Sequence, residues 1–260
     1  MKQLIKKIIP PAYHKQLKYA VLRKIYFGRK HYCNVCNSNI SKWLPLGYDL
    51  PVIREKQIVG AGLREAMCPV CMSSDRIRLL YHFLQNKTTI FSNPNKLLHI
   101  APEPSLEHLF INHKNIDYLT ADLNPDEVMM QMDITRISFP ENTFDAIMCN
   151  HVLEHIPDDQ LAMSELFRVL EPGGWAILQV PFSKILDKTF ENPEVKTPEE
   201  RERVFGQTDH VRIYGNDYVD RLEKAGFTVN RYQWTEDPCI LDSEKKLNLN
   251  PDEPVFFCTK

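Results

Sequence analysis

The chain has 260 residues, of which 43% are hydrophobic and 25% are charged, and its formal net charge is -2. This composition is typical of a globular protein, and the length suffices for one large domain and a small one. No apolar run approaches the roughly 18 to 20 residues that a membrane-spanning helix needs, and the amino terminus does not resemble a signal peptide. Seven cysteines without a secretion signal favour a reducing compartment, so we expect a cytoplasmic protein.

The first 31 residues form a segment that we call the basic arm. Residues 1–48 contain ten lysines and arginines and no acidic residue, whereas residues 49–260 contain 22 basic and 34 acidic residues. Apolar residues recur in the arm at helical spacing, in two runs separated by a Pro-Pro pair: Leu4, Ile5, Ile8, Ile9, and then Tyr13, Leu17, Val21, Leu22. The spacing predicts two helical stretches.

Three interpretations of the basic arm stay open. It could lie on an anionic membrane surface, which would make the protein peripheral at the membrane. It could contact nucleic-acid phosphates. It could also dock on the catalytic domain and leave its lysines in solvent.

Two Cys-x-x-Cys pairs follow the basic arm, within residues 32–78. The first pair is Cys33 and Cys36, and the second is Cys68 and Cys71. Four thiolates on two tight turns match the tetrahedral sulfur site that zinc prefers. The segment has little regular pattern, so the metal would supply much of its folding energy. We therefore predict a structural zinc module here; two disulfides are the alternative, which a reducing compartment disfavours.

Residues 79–260 carry the pattern of an α/β domain. A buried strand is predicted at residues 96–101, followed by the glycine-free turn 101–105 (APEPS) and a short helix. A second strand is predicted to end at Asp122. Because a carboxylate at this place, about twenty residues after the first turn, can accept both hydroxyls of a ribose, Asp122 is a candidate nucleotide-binding residue.

The most informative stretch covers residues 144–181. The apolar run FDAIMCN predicts a strand, DDQLAMSELFRVL predicts an amphipathic helix, and WAILQV predicts a second strand. Residues 172–174 (PGG) should stop the helix and turn the chain. Strand, helix and strand at this spacing form a βαβ unit of a parallel sheet. The polar cluster NHVLEH follows the first strand, at the sheet edge where such folds bind ligands.

A second polar cluster precedes the last helix. Gln207, Asp209, His210 and Arg212 stand together in a charged segment without a clear core pattern. His210 could remove a proton from a hydroxyl or amine, and Arg212 could bind a substrate carboxylate or phosphate. A loop held together by an Asp-His-Arg hydrogen-bond set is the alternative. A helix and two final strands complete the domain.

Residues 144–181 resemble the strand 4 to strand 5 block of class I S-adenosylmethionine-dependent methyltransferases of the small-molecule type. The resemblance extends over most of residues 79–260. It implies a doubly wound α/β fold with a seven-stranded, mostly parallel sheet, preceded here by the zinc module and the helical arm. It also implies S-adenosylmethionine as the cofactor, and transfer of its methyl group to a nucleophile.

The resemblance also implies which residues contact the cofactor. They comprise the turn after strand 1, the ribose-binding acid with its neighbour, the adenine-binding acid with its neighbour, and the end of strand 4: Ala101, Glu103, Asp122, Leu123, Asp133, Ile134, Asn150 and His151. His151 would also meet the acceptor, so the expected catalytic residues are His151, His210 and Arg212. Glu154 and His155 are expected to brace the next helix.

The turn after strand 1 departs from the family pattern. It lacks the usual glycines, and His99 replaces the usual acidic residue. The rigid turn either holds the same path, with Glu103 meeting the ammonium group of the cofactor, or marks a degraded cofactor site.

Three functions are compatible with these sequence features. The first is methyl transfer to a small molecule or glycan. The second is methylation of nucleic acid bound by the arm and zinc module, which we consider less favoured because no amine-methylation motif follows strand 4. The third is a binding protein that kept the fold. No set of metal-binding acids indicates a metal-dependent transfer.

Overall fold

A computed structural model describes residues 11–241 and 244–260. The helical run predicted at residues 4–9 lies outside these residues. None of the helices in the described part of the chain is long and apolar enough to cross a membrane.

The N-terminal part consists of short elements around the four cysteines. In chain order they are α1 (Pro11–Ile25), β1 (Phe27–Cys33), β2 (Ser38–Ile40), β3 (Leu44–Leu46), α2 (Pro51–Glu55), β4 (Ile58–Val59) and β5 (Arg64–Met67). β1 pairs antiparallel with β2, and β3 pairs antiparallel with β5. Because isolated two-stranded ladders are marginally stable at best, this part depends on other interactions for its stability.

Helix α1, the described portion of the basic arm, packs against the cysteine-containing segment. Arg23 donates hydrogen bonds to the Ser38 hydroxyl (3.0 Å) and to the Cys36 carbonyl (2.8 Å). Tyr19 and Leu22 pack on the apolar cluster that contains two of the cysteines. This contact corresponds to the docking interpretation of the arm, although the surface contacted is the cysteine segment.

A seven-stranded sheet forms the core of the rest of the chain. Its members are β6 (Asn95–Ile100), β7 (Ile116–Asp122), β8 (Met130–Gln131), β9 (Phe144–Asn150), β10 (Leu170–Gln179), β14 (Thr228–Tyr232) and β15 (Val255–Thr259). Their spatial order is β14-β15-β10-β9-β6-β7-β8, and only β15 runs antiparallel to its neighbours. The predicted doubly wound, mostly parallel sheet is confirmed.

Helices cover both faces of this sheet. Helix α3 (Asp75–Lys87) and helix α4 (Pro104–Phe110) pack on one face, and α5 (Asp159–Val169) and α7 (Tyr218–Lys224) pack on the other. Neighbouring residues of the central strands alternate between the two apolar clusters, as a strand period of two requires. Helix α3 runs without a break across residues 78 and 79, so the N-terminal part is joined to the sheet by a continuous helix.

The predicted turn at residues 172–174 is wrong. Helix α5 ends at Val169, and β10 begins at Leu170 and continues through the Pro-Gly-Gly sequence to Gln179. The ladder with β9 shifts register between Leu170 and Trp175, so the sequence forms an irregularity inside the strand. At Gly174 an added Cβ would lie 2.8 Å from the Asp145 carbonyl, which explains why glycine is required there.

The segment after β10 has more structure than its sequence pattern indicated. It contains β11 (Phe182–Ser183), β12 (Phe190–Glu191), α6 (Pro198–Phe205) and β13 (Arg212–Ile213). β11 pairs with β4 of the N-terminal part, and a small apolar cluster joins the two: Val52, Ile53, Ile58, Phe205 and Ile213. The two segments therefore form one wall beside the carboxyl ends of the sheet strands. Two short helices, α8 (Pro238–Leu241) and α9 (Glu244–Leu247), precede β15.

Candidate active site

Two residues that follow central strands adopt left-handed backbone angles. Ala101, after β6, has φ 47°, and His151, after β9, has φ 55°. Their amide groups continue the sheet ladder, by donating to the carbonyls of Ala121 (2.8 Å) and Gln179 (2.7 Å). Left-handed conformations are uncommon for residues other than glycine and cluster at functional sites. They mark the edge of the sheet where the candidate site lies.

The Ala101 angle accounts for the missing glycine in the turn after β6. The chain turns with alanine in the conformation that glycine would usually supply. Glu103 is the N-cap residue of α4, which begins at Pro104. The prediction that a proline-flanked turn can take a glycine-type path therefore has a concrete structural basis at Ala101.

A buried relay holds the Glu103 carboxylate. His99, fully buried, is hydrogen-bonded through Nε2 to Glu103 Oε2 (2.9 Å) and through Nδ1 to the Tyr118 hydroxyl (2.9 Å). Burial raises the pKa of the Glu103 carboxyl, but the hydrogen bond and charge of His99, a backbone hydrogen bond and the nearby His151 together outweigh it, so the pKa lies below the ordinary value. The carboxylate that is absent at position 99 is thus present four residues later, bonded to His99.

A cavity of about 460 Å³ lies between the ends of β6 and β7. Its lining includes Ala101, Pro102, Asp122 and Asn124. The Asp122 carboxylate accepts a hydrogen bond from the backbone amide of Asn124 (2.9 Å), which fixes the chain direction after β7. Two of the predicted cofactor contacts, Ala101 and Asp122, therefore lie together on one cavity.

The remaining predicted contacts near this cavity are placed differently. Leu123 is 58% exposed and is not part of the cavity lining. Asp133 is exposed and accepts two hydrogen bonds from Thr135, from the backbone amide (2.8 Å) and from the hydroxyl (2.7 Å). Ile134 is buried in the core, so only its backbone is available to a ligand.

Three side chains at and after the end of β9 carry buried polar atoms without hydrogen-bond partners. Among the described residues, no partner exists for either amide atom of Asn150, for His151 Nε2 or for Glu154 Oε2. Asn150 is 3% exposed and Glu154 is 1% exposed. Leaving a buried polar group unpaired costs about 1–3 kcal/mol. Such groups on adjacent residues are the feature expected of a site that receives a polar ligand.

A second cavity, of about 540 Å³, adjoins this polar cluster. One wall carries His151, Glu154, His155 and His210. The opposite wall comes from residues 45–76 of the N-terminal part and includes two exposed apolar side chains and two arginines: Tyr48, Leu63, Arg64 and Arg76. The cysteine-containing segment therefore contributes directly to this cavity.

Hydrogen bonds fix the orientation of the polar wall. His151 Nδ1 lies 3.1 Å from Glu154 Oε1, and His155 Nδ1 lies 3.1 Å from Asp209 Oδ2. Burial raises the pKa of Glu154, yet the hydrogen bond from His151 and the three nearby histidines together bring it below the ordinary value. The side chains of Glu154 and His155, which were expected to brace the next helix, line the cavity.

His210 reaches the same wall from a distant part of the chain. Its ring packs edge-on against that of His155, with centroids 4.7 Å apart. The amide of Val211 donates to the Glu154 carbonyl (3.0 Å), which ties the two segments together. Burial lowers the pKa of His210 to about 4, so the imidazole is neutral at pH 7.

Arg212 does not have the geometry of a substrate clamp, and that prediction is corrected. Its guanidinium is 3% exposed and donates to the carbonyls of Leu153 (2.7 Å) and Pro157 (2.8 Å) and to the Glu191 carboxylate (2.6 Å). These bonds occupy the fork-shaped donor set that a substrate anion would need. Arg212 instead fixes the loop that carries Glu154 and His155.

The four cysteines lie together as predicted, and their geometry fits zinc. The Sγ atoms of Cys33 and Cys71 are 3.6 Å apart, and those of Cys36 and Cys68 are 3.8 Å apart. A tetrahedral zinc ion with Zn–S bonds of about 2.3 Å separates its sulfur ligands by about 3.8 Å. Ser73 and Ser38 hydroxyls lie 3.1–3.3 Å from these sulfurs and complete a hydrogen-bonded outer shell.

Comparison with known proteins finds partial matches to methyltransferases. Residues 107–178, which include β9, α5 and most of β10, match the family model described as methyltransferase domain. The ubiquinone/menaquinone biosynthesis C-methyltransferase UbiE of Pasteurella multocida is 41% identical over 59 residues, which are 22% of this chain and 22% of that protein. The demethylmenaquinone methyltransferase of Streptomyces avermitilis is 39% identical over 46 residues, 18% of this chain and 20% of that protein.

The chain thus spans about a fifth of the length of the curated relatives that it matches. Among solved structures, the [4+2]-cyclase SpnF aligns with a TM-score of 0.48 and 15% identity, over 72% of this chain and 81% of that chain. A SAM-dependent methyltransferase from Archaeoglobus fulgidus aligns with a TM-score of 0.45 and 14% identity, over 72% of this chain and 95% of that chain.

Proposed function

We propose that this chain, which carries a class I S-adenosylmethionine-dependent methyltransferase domain, transfers a methyl group to an oxygen or nitrogen atom of a small molecule or glycan. The observation that carries the proposal is the group of buried, unpartnered polar atoms on Asn150, His151 and Glu154, beside a cavity large enough for an acceptor. When bound, the cofactor supplies an electrophilic methyl group on a sulfonium sulfur.

The residues around the smaller cavity suit the polar groups of that cofactor. Asp122 would accept the ribose hydroxyls, and Asp133 would accept the adenine amino group if its side chain turned away from Thr135. Glu103, kept ionised by His99, would meet the ammonium group. The Asn150 amide, which has no partner among the described side chains and backbone, would meet the methionine end.

His151 is the residue best suited to accept a proton from the acceptor. Its Nδ1 faces the Glu154 carboxylate, which favours the tautomer with hydrogen on Nδ1 and a free lone pair on Nε2. That Nε2 atom is buried and unpartnered within the described structure. The arrangement is the oriented base of general acid–base catalysis, and it favours His151 over the predicted His210 as the base.

The lining of the larger cavity indicates the class of acceptor. The family match covers residues 107–178, whereas most of the lining of this cavity comes from residues 45–76 and 181–213, so the C-methyltransferase names of the relatives leave its acceptor open. Exposed Tyr48 and Leu63 face a polar wall, an arrangement that suits a sugar ring or another small polyhydroxylated molecule. Alignment of the acceptor and exclusion of water would supply most of the rate enhancement.

Calorimetric titration with S-adenosylhomocysteine tests the cofactor part of the proposal. We expect one binding site per chain and, for Asp122→Asn, an affinity reduced about tenfold, because one charge-assisted hydrogen bond is lost. Asp126→Asn, at an exposed position outside the cavity lining, is the matched control and should bind normally. Wild-type protein that ignores the ligand at millimolar concentration would refute the proposal.

Incubation with methyl-labelled cofactor tests the acceptor. Glycan and small-metabolite fractions should become labelled, and the label should survive nuclease treatment. Label confined to RNA, and lost at raised salt, would instead support the alternative in which the basic arm docks nucleic acid.

We also propose that Cys33, Cys36, Cys68 and Cys71 hold a structural zinc ion. The sulfur separations support it. A four-sulfur shell leaves no open coordination position, so the ion would stabilise the cavity wall and take no part in methyl transfer.

A further inference from the structure

We propose that Glu154, His155 and His210 form a second metal site, for a divalent transition-metal ion, on the wall of the larger cavity. The three residues each offer one ligand atom, and these atoms all lie within 4.8 Å of one another. Two imidazoles and one carboxylate form the ligand set of catalytic zinc sites, in which a fourth position stays open for water or substrate.

The carboxylate of Glu154 supplies an independent indication that a cation binds here. The side chain is 1% exposed; Oε1 is hydrogen-bonded to His151, and Oε2 has no partner among the described residues. A buried, unpaired carboxylate oxygen is costly unless a positive charge or a donor compensates it. Arg212 and Arg221 lie in the region, but their hydrogen bonds go to Glu191, Asp159 and backbone carbonyls.

The two histidines have the surroundings of metal ligands. His155 Nδ1 lies 3.1 Å from the Asp209 carboxylate, and a carboxylate on one ring nitrogen is the usual device that aims the other nitrogen at an ion. His210 is 7% exposed, and its ring lies edge-on against that of His155. A neutral imidazole is a common metal ligand.

The backbone around the three ligands is held from several directions. Arg212 donates to the carbonyls of Leu153 and Pro157, on either side of Glu154 and His155. The Val211 amide donates to the Glu154 carbonyl (3.0 Å), so the segment bearing His210 moves with the segment bearing the other two ligands. In a tetrahedral site with bonds of about 2.1 Å, ligand atoms are about 3.4 Å apart. Side-chain rotations that move the ligand atoms by roughly 1 Å would bring the three atoms to these separations.

The position of the site defines a role that rests on the proposed function. All three ligands line the 540 Å³ cavity, so the open coordination position would face the acceptor. A divalent ion binds hydroxyl or carboxylate oxygens and favours their deprotonated form. The acceptor class would then be an oxygen nucleophile, with His151 beside the ion rather than among its ligands.

Metal stoichiometry provides the test. Protein purified with its cysteine site loaded would be freed of weakly held metal by brief chelation and titrated with Zn²⁺ by calorimetry. We expect a second binding event with a stoichiometry of one. His155→Gln and His210→Gln should weaken this event by at least about tenfold, whereas His108→Gln, at an exposed site on α4, should leave it unchanged.

Cobalt substitution separates the two metal sites by their ligands. Cobalt at the cysteine site gives an intense sulfur-to-metal charge-transfer band, whereas cobalt on two imidazoles and a carboxylate adds only weaker visible bands. These weaker bands should appear with the second equivalent and vanish in the two variants.

Wild-type protein that takes up only one equivalent would overturn the proposal, whether or not the variants fold. A second equivalent kept by both variants would overturn it as well, as an adventitious ion only. Titration with S-adenosylhomocysteine on the same preparations keeps this result apart from the proposed function: cofactor binding without the second metal refutes only the site.

Discussion

The backbone angle φ of Ala101 gives the turn after β6 the conformation that a glycine would usually supply. With φ 47°, it holds a glycine-type turn at a cost in strain that a side chain of any size increases. Ala101→Gly should therefore be as stable as the wild type or up to about 1 kcal/mol more stable, since relief of strain offsets the greater freedom of the unfolded chain. Ala101→Val should lose about 1–3 kcal/mol, because β-branched residues are rare at positive φ.

Urea unfolding of the two variants measures this difference. Cofactor binding should survive in the glycine variant and fall in the valine variant, whose branched side chain stands at the lining of the smaller cavity. A glycine variant less stable than the valine variant would show that the turn is not strained at this position.

Individual residues also show why the sequence revealed only part of the site. Asp122 and His151 stand directly after apolar strands, so their place at the sheet edge follows from periodicity. The role of Arg212 was misjudged because its partners are backbone carbonyls, to which no sequence pattern points. Glu154 and His210 are joined by the backbone bond of Val211, a contact between segments more than fifty residues apart.

At the scale of elements, the start of helix α3 depends on a buried ion pair. Arg64 of β5 forms two hydrogen bonds with Asp75, of 2.7 and 2.8 Å, and the Asp75 side chain is 2% exposed. Burial raises the pKa of Asp75. The hydrogen bonds and charge of Arg64, with the nearby Arg76 and Arg78, outweigh this effect, so the pKa lies below its ordinary value. Asp75→Asn should lose about 2 kcal/mol, since it removes the charged partner of a guanidinium that is only 22% exposed.

The pH dependence of this loss has a defined sign. Because the folded-state pKa of Asp75 is depressed, its stabilisation is fully present above the unfolded-state pKa of about 4 and disappears as the pH falls through the folded-state value. The difference in unfolding free energy between wild type and Asp75→Asn should stay constant from neutral pH to about pH 5 and close below it. Asp49→Asn, in the exposed pair with Arg54, should change stability by less than about 0.5 kcal/mol at any pH.

The elements of the proposed zinc module make a further prediction. β1, β2, β3 and β5 form two short ladders that bury little surface without the cysteine site. Cys68→Ser should release about one equivalent of zinc and unfold residues 27–67, which metal analysis and amide hydrogen exchange would detect. Native protein that contains no zinc would contradict this prediction.

The strands differ in how far their sequences predict them, and each difference has a physical reason. The central strands were predictable because buried parallel strands are continuous apolar runs. The Pro-Gly-Gly sequence signals a turn in isolation, yet the pairing of Leu170 with Phe144 extends β10 through it. The two-residue strands β4 and β11 have no detectable pattern, because each exists only through the other.

At the scale of the whole molecule, we propose that the exposed surface of the basic arm contacts an anionic membrane, which is one of the interpretations left open by the sequence. Val21, Ile25 and Phe27 are 46%, 66% and 63% exposed, and Lys24 and Arg29 stand among them. Apolar side chains mixed with cations are the composition of a surface that rests on anionic lipid. The full chain should sediment with vesicles containing phosphatidylserine and be released at high salt.

A double variant tests this surface directly. Ile25→Ser with Phe27→Ser should weaken vesicle binding, and Ile185→Ser, which removes a 50% exposed side chain outside the basic arm, should not. Equal binding of wild-type protein to neutral vesicles would refute the role of anionic lipid, and no binding to either kind of vesicle would remove the membrane from the list of partners.

The ladder between β4 and β11 unites the cysteine-bearing front of the molecule with the sheet that follows it. Because that front contributes to the lining of the proposed acceptor cavity and not to that of the Asp122 cavity, the two proposed binding sites draw on different parts of the chain. Grafting residues 27–74 from a homologue should therefore change the choice of acceptor while leaving the methyl donor unchanged, which would make this front a replaceable specificity module.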